Sequence, residues 1–473
     1  MDLGTGVERG LDTRGEVRLG GGIQHCVRRY AQCGSRIARE CDHDRAGNLN
    51  LTERVVGMAI DFRLTARQRD LQLQARKFAR EVLSGAAKAE ILATPEERFG
   101  ATKPAYEAMI AAGFLRKCIP VSSGGENRSL IDTAIMVEEL YAVNASVTMT
   151  LMGTFLGLLP LLIGGTEEQR SRLLPPFLKQ AGAPLAGFCA TEPGGSANVA
   201  SPPPGEGVRT TARFSGDRWI IQGRKSWISS ATGWDRKGAD LLSVLCRTDP
   251  DAPAERGISI ILVECPTPGL VFERAIDSVG HRAHLLPQFA LEGVSVPGGN
   301  VLGNLGGGLA LTAASFMGAA ALVGIFAVGV MRMGFDFALG FARNERRGGI
   351  HPIIEHQAVG YALADAKMAI EATRSLCWRA CQAVDLQSPA AEELAIEAKV
   401  YGSETAVRVL TNLMRVVGTD SYDHALPLGR LLQDALALPL FAGGNVGVRR
   451  RRLHTILQRP EYDPFAACSQ VEV

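Results

Sequence analysis

Apolar positions follow three different patterns along the chain, one after another. Up to about residue 185 they recur at helical spacing, which predicts helices at 103–112, 132–143 and 166–180. Between about 186 and 298 they form short, partly alternating runs, which predict strands at 208–214, 218–222, 241–246, 258–263 and 289–296. Long amphipathic patterns then return and predict helices at 335–345, 357–385, 391–417 and 428–438.

This order of helices, strands and helices predicts an α+β fold with three domains. We expect an N-terminal α-helical domain at 58–185, a middle β-barrel or sandwich domain at 186–298, and a C-terminal four-helix bundle domain at 299–473. The strands and helices do not alternate, and the chain contains neither a GxGxxG motif nor a Walker loop. A doubly wound fold that binds NAD or ATP is therefore not expected.

The first 57 residues show no sustained apolar period and contain nine Arg, ten Gly and no Lys. We predict that residues 1–57 form a disordered or non-native N-terminal extension, with Met58 as the working start. An alternative is a metal site built from Cys26, Cys33, Cys41 and His43. Because their spacing matches no zinc pattern, no metal is expected.

A second stretch, 301–331, contains no charged residue and is long enough to cross a bilayer. It continues directly into the amphipathic 332–347 segment, and it is rich in Gly, Ala, Ser and Thr. We therefore predict a buried bundle helix and no membrane partner.

The charge of the chain is nearly balanced, with 51 basic and 49 acidic side chains among 473 residues. This balance gives no field that would attract nucleic acid. The ten cysteines form no CxxC pair, and the N-terminus lacks an apolar signal region. Both features predict buried thiols in a reducing compartment and a cytoplasmic location.

Four segments resemble the acyl-CoA dehydrogenase superfamily of flavoproteins. They are FCATEPGGSAN at 188–198, GRKSWIS at 223–229, RRGGIHPIIEHQ at 346–357 and VGTDSY at 417–422. The resemblance implies the three-domain fold of that superfamily and FAD as cofactor. The cofactor-binding residues that it implies are Thr191, Trp227, Ser229, Arg346 or Arg347, Gln357 and Gly418.

Within the superfamily the chain is more similar to the nitroalkane oxidases. The shared segments lie at 233–240, 347–349, 441–445 and 449–451. This resemblance implies a homo-oligomer, tetramer or dimer, in which the arginine at 346 or 347 reaches the FAD of a neighbouring subunit. It also implies an oxidoreductase that removes a proton from carbon, and a small-molecule or acyl-thioester substrate.

The residue that should take this proton is missing. In these relatives a carboxylate on the turn at 441–445 is the base, and here the turn reads FAGGN, with Ala442 in that position. The other position known for the base, near 319–321, holds only alanines. Arg449, expected beside the base carboxylate, is retained.

Three interpretations remain open. In the first, the base has moved, and His284 is the candidate because the resemblance implies that its loop lies close to the flavin. A neutral imidazole is a competent base near pH 7; the alternative for His284 is an ordinary surface-loop histidine. In the second, the substrate needs no strong base, as in a flavin-dependent monooxygenase on this fold. In the third, the chain is a catalytically dead FAD-binding structural or regulatory subunit.

Overall fold

Helices form the first part of the computed structural model, which describes residues 62–202 and 204–464. The hydroxyl of Thr65 accepts a hydrogen bond from the backbone N–H of Gln68, and the Gln68 side-chain oxygen accepts one from the backbone N–H of Thr65, so the first helix begins with a capping box. The predictions for residues 1–57, including the Cys26 to His43 alternative, lie outside the described residues. The main helices are α1 (Ala66–Phe78), α2 (Pro95–Ala111), α3 (Leu130–Val143), α4 (Ala145–Gly164) and α5 (Glu167–Leu173).

Seven strands form one sheet in the middle of the chain. They are β1 (Ala186–Cys189), β2 (Thr211–Ser215), β3 (Arg218–Ser226), β4 (Leu241–Arg247), β5 (Ile258–Glu264), β6 (Leu270–Ala275) and β7 (Pro287–Pro297). Their order is β1-β4-β2-β3-β7-β6, and β5 pairs with β4 in addition. Most neighbours are antiparallel, while β1 runs parallel to β4.

The helices that follow the sheet are long. They are α6 (Gly308–Asn344), α7 (Gln357–Asp385), α8 (Ala391–Val417), α9 (Pro427–Ala437) and α10 (Arg451–Leu457). The uncharged stretch and the predicted helix at 335–345 form the single helix α6. Gly324 lets α6 approach α8 closely, because a β-carbon there would lie 2.8 Å from the Ala398 carbonyl oxygen.

Two helices, Ala145–Gly164 and Gly308–Asn344, are long and apolar enough to cross a membrane by length and composition. In each of them 72% of the most apolar window is buried inside the protein. This burial agrees with the interpretation of α6 as a core helix of the bundle.

A buried network of ion pairs connects the first helices with the bundle. Glu139 on α3 accepts from Arg76 on α1 at 2.7 Å and from Arg332 on α6 at 2.8 Å. Glu138 accepts from Arg332 and from Arg374 on α7, both at 2.9 Å. Burial acts to raise the pKa of Glu139, but the hydrogen bonds from both arginines bring it below its usual value. Four helices are thus joined through two adjacent carboxylates.

Candidate active site

The ends of β1 and β3 bring two of the predicted cofactor-binding residues together. The backbone N–H of Ser226 donates to the carbonyl oxygen of Thr191 at 3.1 Å, so the chain after β3 runs beside the chain after β1. Trp227 follows with a left-handed backbone, φ 62°, and 51% of its surface is exposed. Exposure of so large an aromatic side chain leaves a flat apolar face available to a ligand.

A buried ion pair supports these two segments from behind. Lys225 is fully buried, and its ammonium donates to Glu192 Oε1 at 2.9 Å and to the Leu245 carbonyl at 2.7 Å. Glu192 also accepts from the Thr210 hydroxyl at 2.6 Å. Burial acts to raise the pKa of Glu192, but the charge of Lys225 and these hydrogen bonds bring it below its usual value. The sequence analysis missed this pair; a lysine inside a strand pattern was the available signal.

Ser229 is held by a chain of hydroxyls and a histidine. The Thr150 hydroxyl on α4 donates to the Ser146 carbonyl at 3.2 Å, and it lies 3.1 Å from His284 Nδ1. Because that hydroxyl hydrogen is already used, Nδ1–H is the donor to Thr150, and Nε2 accepts from the Ser229 hydroxyl at 3.1 Å. Gly153 on α4 makes room for Ser229, since a β-carbon there would lie 2.8 Å from Ser229 Oγ.

This geometry corrects the interpretation of His284 as a surface-loop histidine, while its role as a base stays a prediction. The side chain is buried, with 3% of its surface exposed, so it is not a surface-loop histidine. Burial lowers its pKa to about 3, and both ring nitrogens already have partners. With both ring nitrogens hydrogen-bonded, His284 holds the Ser229 hydroxyl in place.

The turn that carries Ala442 follows α9. Ala442 has a left-handed backbone, φ 51°, which is unusual for alanine and several-fold enriched for aspartate and asparagine. The turn begins beside Phe441, whose ring centroid lies 6.1 Å from the ring of His281. Ala320 and Ala321, the other sequence position considered for a base, are fully buried on α6.

Arg449 lies against this turn. Its guanidinium donates twice to the Ala442 carbonyl, from Nε at 3.0 Å and from Nη2 at 2.7 Å, and once to the Phe316 carbonyl at 3.3 Å. Phe316 stacks on Phe188 of β1, with ring centroids 5.3 Å apart. Arg449 is 9% exposed, and burial lowers its pKa to about 10. These contacts connect the Ala442 turn with the strand that leads into the Thr191 segment.

Lys399, which the sequence analysis missed, lies under the same turn. Its ammonium is completely buried and donates to Asn445 Oδ1 at 2.6 Å and to the Gly443 carbonyl at 2.9 Å. Burial, and after it the positive charge of Arg449, lowers the pKa of Lys399 to about 7. The signal for this residue was a lysine inside the apolar face of α8.

Of the remaining predicted cofactor-binding residues, Arg347 and Gly418 lie together where α6 and α8 end. Arg347 pairs with Asp420 at 3.0 Å, hydrogen bonds to the Val417 carbonyl, and lies beside Gly418. Arg346 donates to the Ile350 carbonyl at 2.7 Å. Gln357, the first residue of α7, hydrogen bonds to the Tyr361 hydroxyl.

Family models match the chain in three consecutive pieces. They are the N-terminal domain of acyl-CoA dehydrogenase at 65–181, the middle domain at 187–294 and the C-terminal domain at 306–456. The chain belongs to the acyl-CoA dehydrogenase family. Membership confirms the predicted fold class and the predicted kind of enzyme, a flavin-dependent oxidoreductase with FAD as the expected cofactor.

Among members of the acyl-CoA dehydrogenase family, the chain is similar to nitroalkane oxidases. It is 40% identical to the nitroalkane oxidase of Podospora anserina over 428 residues, which is 87% of this chain and 99% of that protein. An active-site aspartate-to-asparagine variant of nitroalkane oxidase, crystallised with 1-nitrooctane, superposes with a TM-score of 0.84 at 34% identity, covering 86% of this chain and 99% of that one.

A third similar protein is a solved structure of nitroalkane oxidase that addresses the roles of an arginine and an aspartate in the reaction. In that chain the arginine comes seven residues after the aspartate. That structure superposes on this chain with a TM-score of 0.83 at 34% identity. The alignment covers 86% of this chain and 99% of that one.

Residues near Trp227 in this chain are suited to bind a flavin. The exposed face of Trp227 suits a flat aromatic ring system, and the half-buried Thr191 lies beside it. A β-carbon at Gly194 or Gly195 would meet no atom within 4 Å, so the segment after Thr191 borders open space. Thr191, Trp227 and Ser229 therefore stay the residues predicted to hold the flavin ring.

Proposed function

We propose that this protein is an FAD-dependent oxidoreductase that oxidises a small organic substrate at a C–H bond next to an activating group, and that a nitroalkane is its nearest model substrate. The observation that carries the proposal is the Ala442 turn with Arg449 seven residues later. This is the same spacing as between the aspartate and the arginine studied in nitroalkane oxidase. The turn and its arginine are thus retained, while the carboxylate is replaced by a methyl group.

Arg449, Ser229 and residue 442 have different roles in the proposed site. Arg449 fixes the turn through the Ala442 carbonyl, and Ser229, held by His284, is the residue expected to contact the flavin. FAD, when bound, supplies an acceptor for two electrons. Residue 442 accepts no proton, so the proton of the substrate carbon passes to a group other than this residue.

The decisive experiment compares the parent with Ala442→Asp. We expect the purified parent to show a flavin spectrum, and its flavin to be reduced slowly by 1-nitropropane under anaerobic conditions. A carboxylate base contributes about 10²- to 10⁴-fold to a proton transfer, so Ala442→Asp should reduce the flavin faster by a factor in that range.

Ala442→Asn is the matched control, because asparagine has the shape of aspartate and tolerates the same backbone but takes no proton. It should stay at the parental rate. If Ala442→Asp stays there too, with nitroalkanes and with acyl-CoA thioesters, residue 442 does not mark a vacant base position. A parent that is never reduced but consumes oxygen with an external reductant would favour the monooxygenase, and one that does neither would favour the inactive FAD-binding subunit.

We also propose that the chain forms a homo-oligomer in which Arg347, with Asp420 and Gly418 beside it, completes the cofactor site of a neighbouring subunit. Large apolar side chains near this group support an interface, since Ile350 is 81% and Tyr422 is 89% exposed. Arg347→Gln should lower the retention of FAD without changing Thr191, Trp227 and Ser229. Sedimentation of the holoenzyme as a monomer would contradict the shared site.

A further inference from the structure

The loop between β6 and β7 carries two buried histidines with different partners. His284 bonds to Ser229, on the side of the site where the flavin is expected. His281 Nε2 lies 2.6 Å from the Tyr141 hydroxyl on α3, so these two side chains share a hydrogen bond. Both are almost completely buried, with 4% of His281 and 2% of Tyr141 exposed. One short segment, 280–284, thus connects the Ser229 side of the site to the helical domain.

Helix α9 fixes the backbone of this loop. The N–H of His281 donates to Oδ1 of the buried Asp434 at 2.6 Å. A β-carbon at Gly280 would collide with the Gln433 carbonyl, so the loop lies directly against the backbone of α9. His281 has a left-handed backbone, φ 51°, which a residue other than glycine keeps only where its surroundings hold it. The position of His281 is therefore set by α9, the helix that leads into the Ala442 turn.

The loop transmits the position of His281 to His284. The N–H of His284 donates to the His281 carbonyl at 2.8 Å, which closes a tight turn between the two residues. The N–H of Ala283, inside this turn, donates to Ser146 Oγ on α4 at 3.3 Å. A shift of His281 therefore moves His284, and with it the hydrogen bond that holds Ser229.

On its other side, the His281 ring belongs to an aromatic cluster beside the Ala442 turn. The ring centroids of His281 and Phe441 lie 6.1 Å apart with the rings edge to face. Phe326 of α6 stacks on Tyr141 at 4.8 Å and lies 6.5 Å from Phe441. At these separations aromatic rings attract each other. Because Phe441 directly precedes Ala442, the His281 ring helps to fix where the turn begins.

We propose that His281 is a positioning residue that holds the Ser229 hydroxyl and the Ala442 turn in a fixed relation to each other. It acts on Ser229 through His284 and on the turn through Phe441. The role at the turn rests on the proposed function, because turnover reports it. The role at Ser229 is read from the bound flavin and needs no turnover.

Tyr141→Phe tests the role at Ser229, because it removes one hydroxyl and keeps the stacked ring. In the FAD-loaded protein it should shift the visible absorption of the flavin and speed up FAD dissociation by about two- to tenfold, the effect of losing one hydrogen bond. Ser229→Ala should shift the absorption as well. The double variant should resemble Ser229→Ala alone, since His281 acts through Ser229.

Tyr106→Phe is the matched control. Tyr106 is also fully buried, and its hydroxyl donates to the Pro184 carbonyl at 2.8 Å. The flavin absorption and the FAD dissociation rate of this variant should equal those of the parent. An effect as large as that of Tyr141→Phe would overturn the proposal, because any lost tyrosine hydroxyl would then suffice. A parental spectrum for Tyr141→Phe, or effects that multiply in the double variant with Ser229→Ala, would also overturn it.

The role at the turn is tested in the Ala442→Asp background with 1-nitropropane. His281→Gln keeps a side-chain amide that reaches Tyr141, but it has no ring to place against Phe441. It should lower the limiting rate of flavin reduction by about ten- to a hundredfold, because the new carboxylate is misplaced. The substrate concentration at half-maximal rate and the flavin spectrum should stay those of Ala442→Asp.

An unchanged limiting rate for His281→Gln overturns the role at the turn. Tyr141→Phe leaves His281 itself in place, so the spectra decide on the role at Ser229 even where His281→Gln does not fold. If Ala442→Asp reduces its flavin no faster than the parent, the proposed function fails. The spectra of Tyr141→Phe, Ser229→Ala and Tyr106→Phe then still support or overturn the positioning role of His281.

Discussion

The pKa of Lys399 lies far below that of an ordinary lysine. Its ammonium is buried under the Ala442 turn beside Arg449, and burial lowers its pKa from 10.5 to about 7. Between these two values the unfolded chain holds a proton that the folded protein has released. Stability therefore rises with pH from about 7 towards 10.5 through this group, because the unfolded state binds more protons there.

Lys399→Met should remove this dependence. The variant loses the donor to Asn445 and Gly443, so it should be less stable than the parent, and the difference should grow as the pH rises from 7 to 9.5. Thermal unfolding midpoints at several pH values measure it. Lys237→Met is the control, because that side chain is 71% exposed. A difference that stays constant with pH would contradict the lowered pKa.

Individual site residues differed in how well the sequence predicted them. Ala442 and Arg449 were found because they belong to a local segment with a family pattern. Lys399 lies 43 positions before Ala442, and Thr150 lies far from both Ser229 and His284, so no local spacing connects them. The surface-loop interpretation of His284 was wrong because a sequence does not show which loop side chains become buried, and it gives no information on the partners of the two ring nitrogens.

Packing decides the effect of a substitution in helix α4. Gly153 lies where the helix passes Ser229, and a methyl group there would collide with the Ser229 side chain. Gly153→Ala should therefore cost about 1–3 kcal/mol of stability by overpacking. It should also displace Ser229, which we expect to appear as a changed visible spectrum of the bound flavin and faster loss of FAD.

Gly100→Ala is the matched control on helix α2. A β-carbon at Gly100 would meet no atom within 4 Å, so alanine should stabilise the protein by roughly 0.5–1 kcal/mol through its better helix propensity. The two substitutions are chemically identical, and only the surroundings differ. Equal effects of both would show that Gly153 is not in close contact with Ser229.

Elements with a clear period were predicted well, and the others were missed. The predicted helices at 357–385 and 391–417 have the same ends in the structure. Helix α4 was not predicted, because it is apolar on nearly all sides and contains Pro160. The four-residue strand β1 is buried on both faces and shows no alternation.

On the scale of the whole molecule, the pair Glu138 and Glu139 decides how α3 is joined to α1 and to the bundle. Glu139→Gln leaves Arg76 and Arg332 with less negative charge, and it should cost about 3 kcal/mol, the lower end for breaking a buried pair, because Arg76 is 39% exposed. The pKa of Glu139 is lowered, so its contribution is present above about pH 4.5 and disappears as the pH falls.

Denaturant unfolding at pH 7 and at a series of lower pH values tests this prediction. The difference between the parent and Glu139→Gln should be largest at pH 7, start to shrink below about pH 4.5 and disappear only below the lowered pKa of Glu139. Glu371→Gln serves as control, because Glu371 is 48% exposed although it pairs with Arg374, which belongs to the same network through Glu138. A loss for Glu371→Gln as large as that for Glu139→Gln would contradict the importance of burial in the network.

The left-handed backbone of Ala442 also bears on the evolution of the family. The turn keeps its backbone conformation and its contact to Arg449 without the side chain for which both are suited. An alanine codon that ends in a pyrimidine becomes an aspartate codon through one base change. No compensating substitution is needed to receive that aspartate, so a laboratory population selected for growth on nitroalkanes should acquire it first.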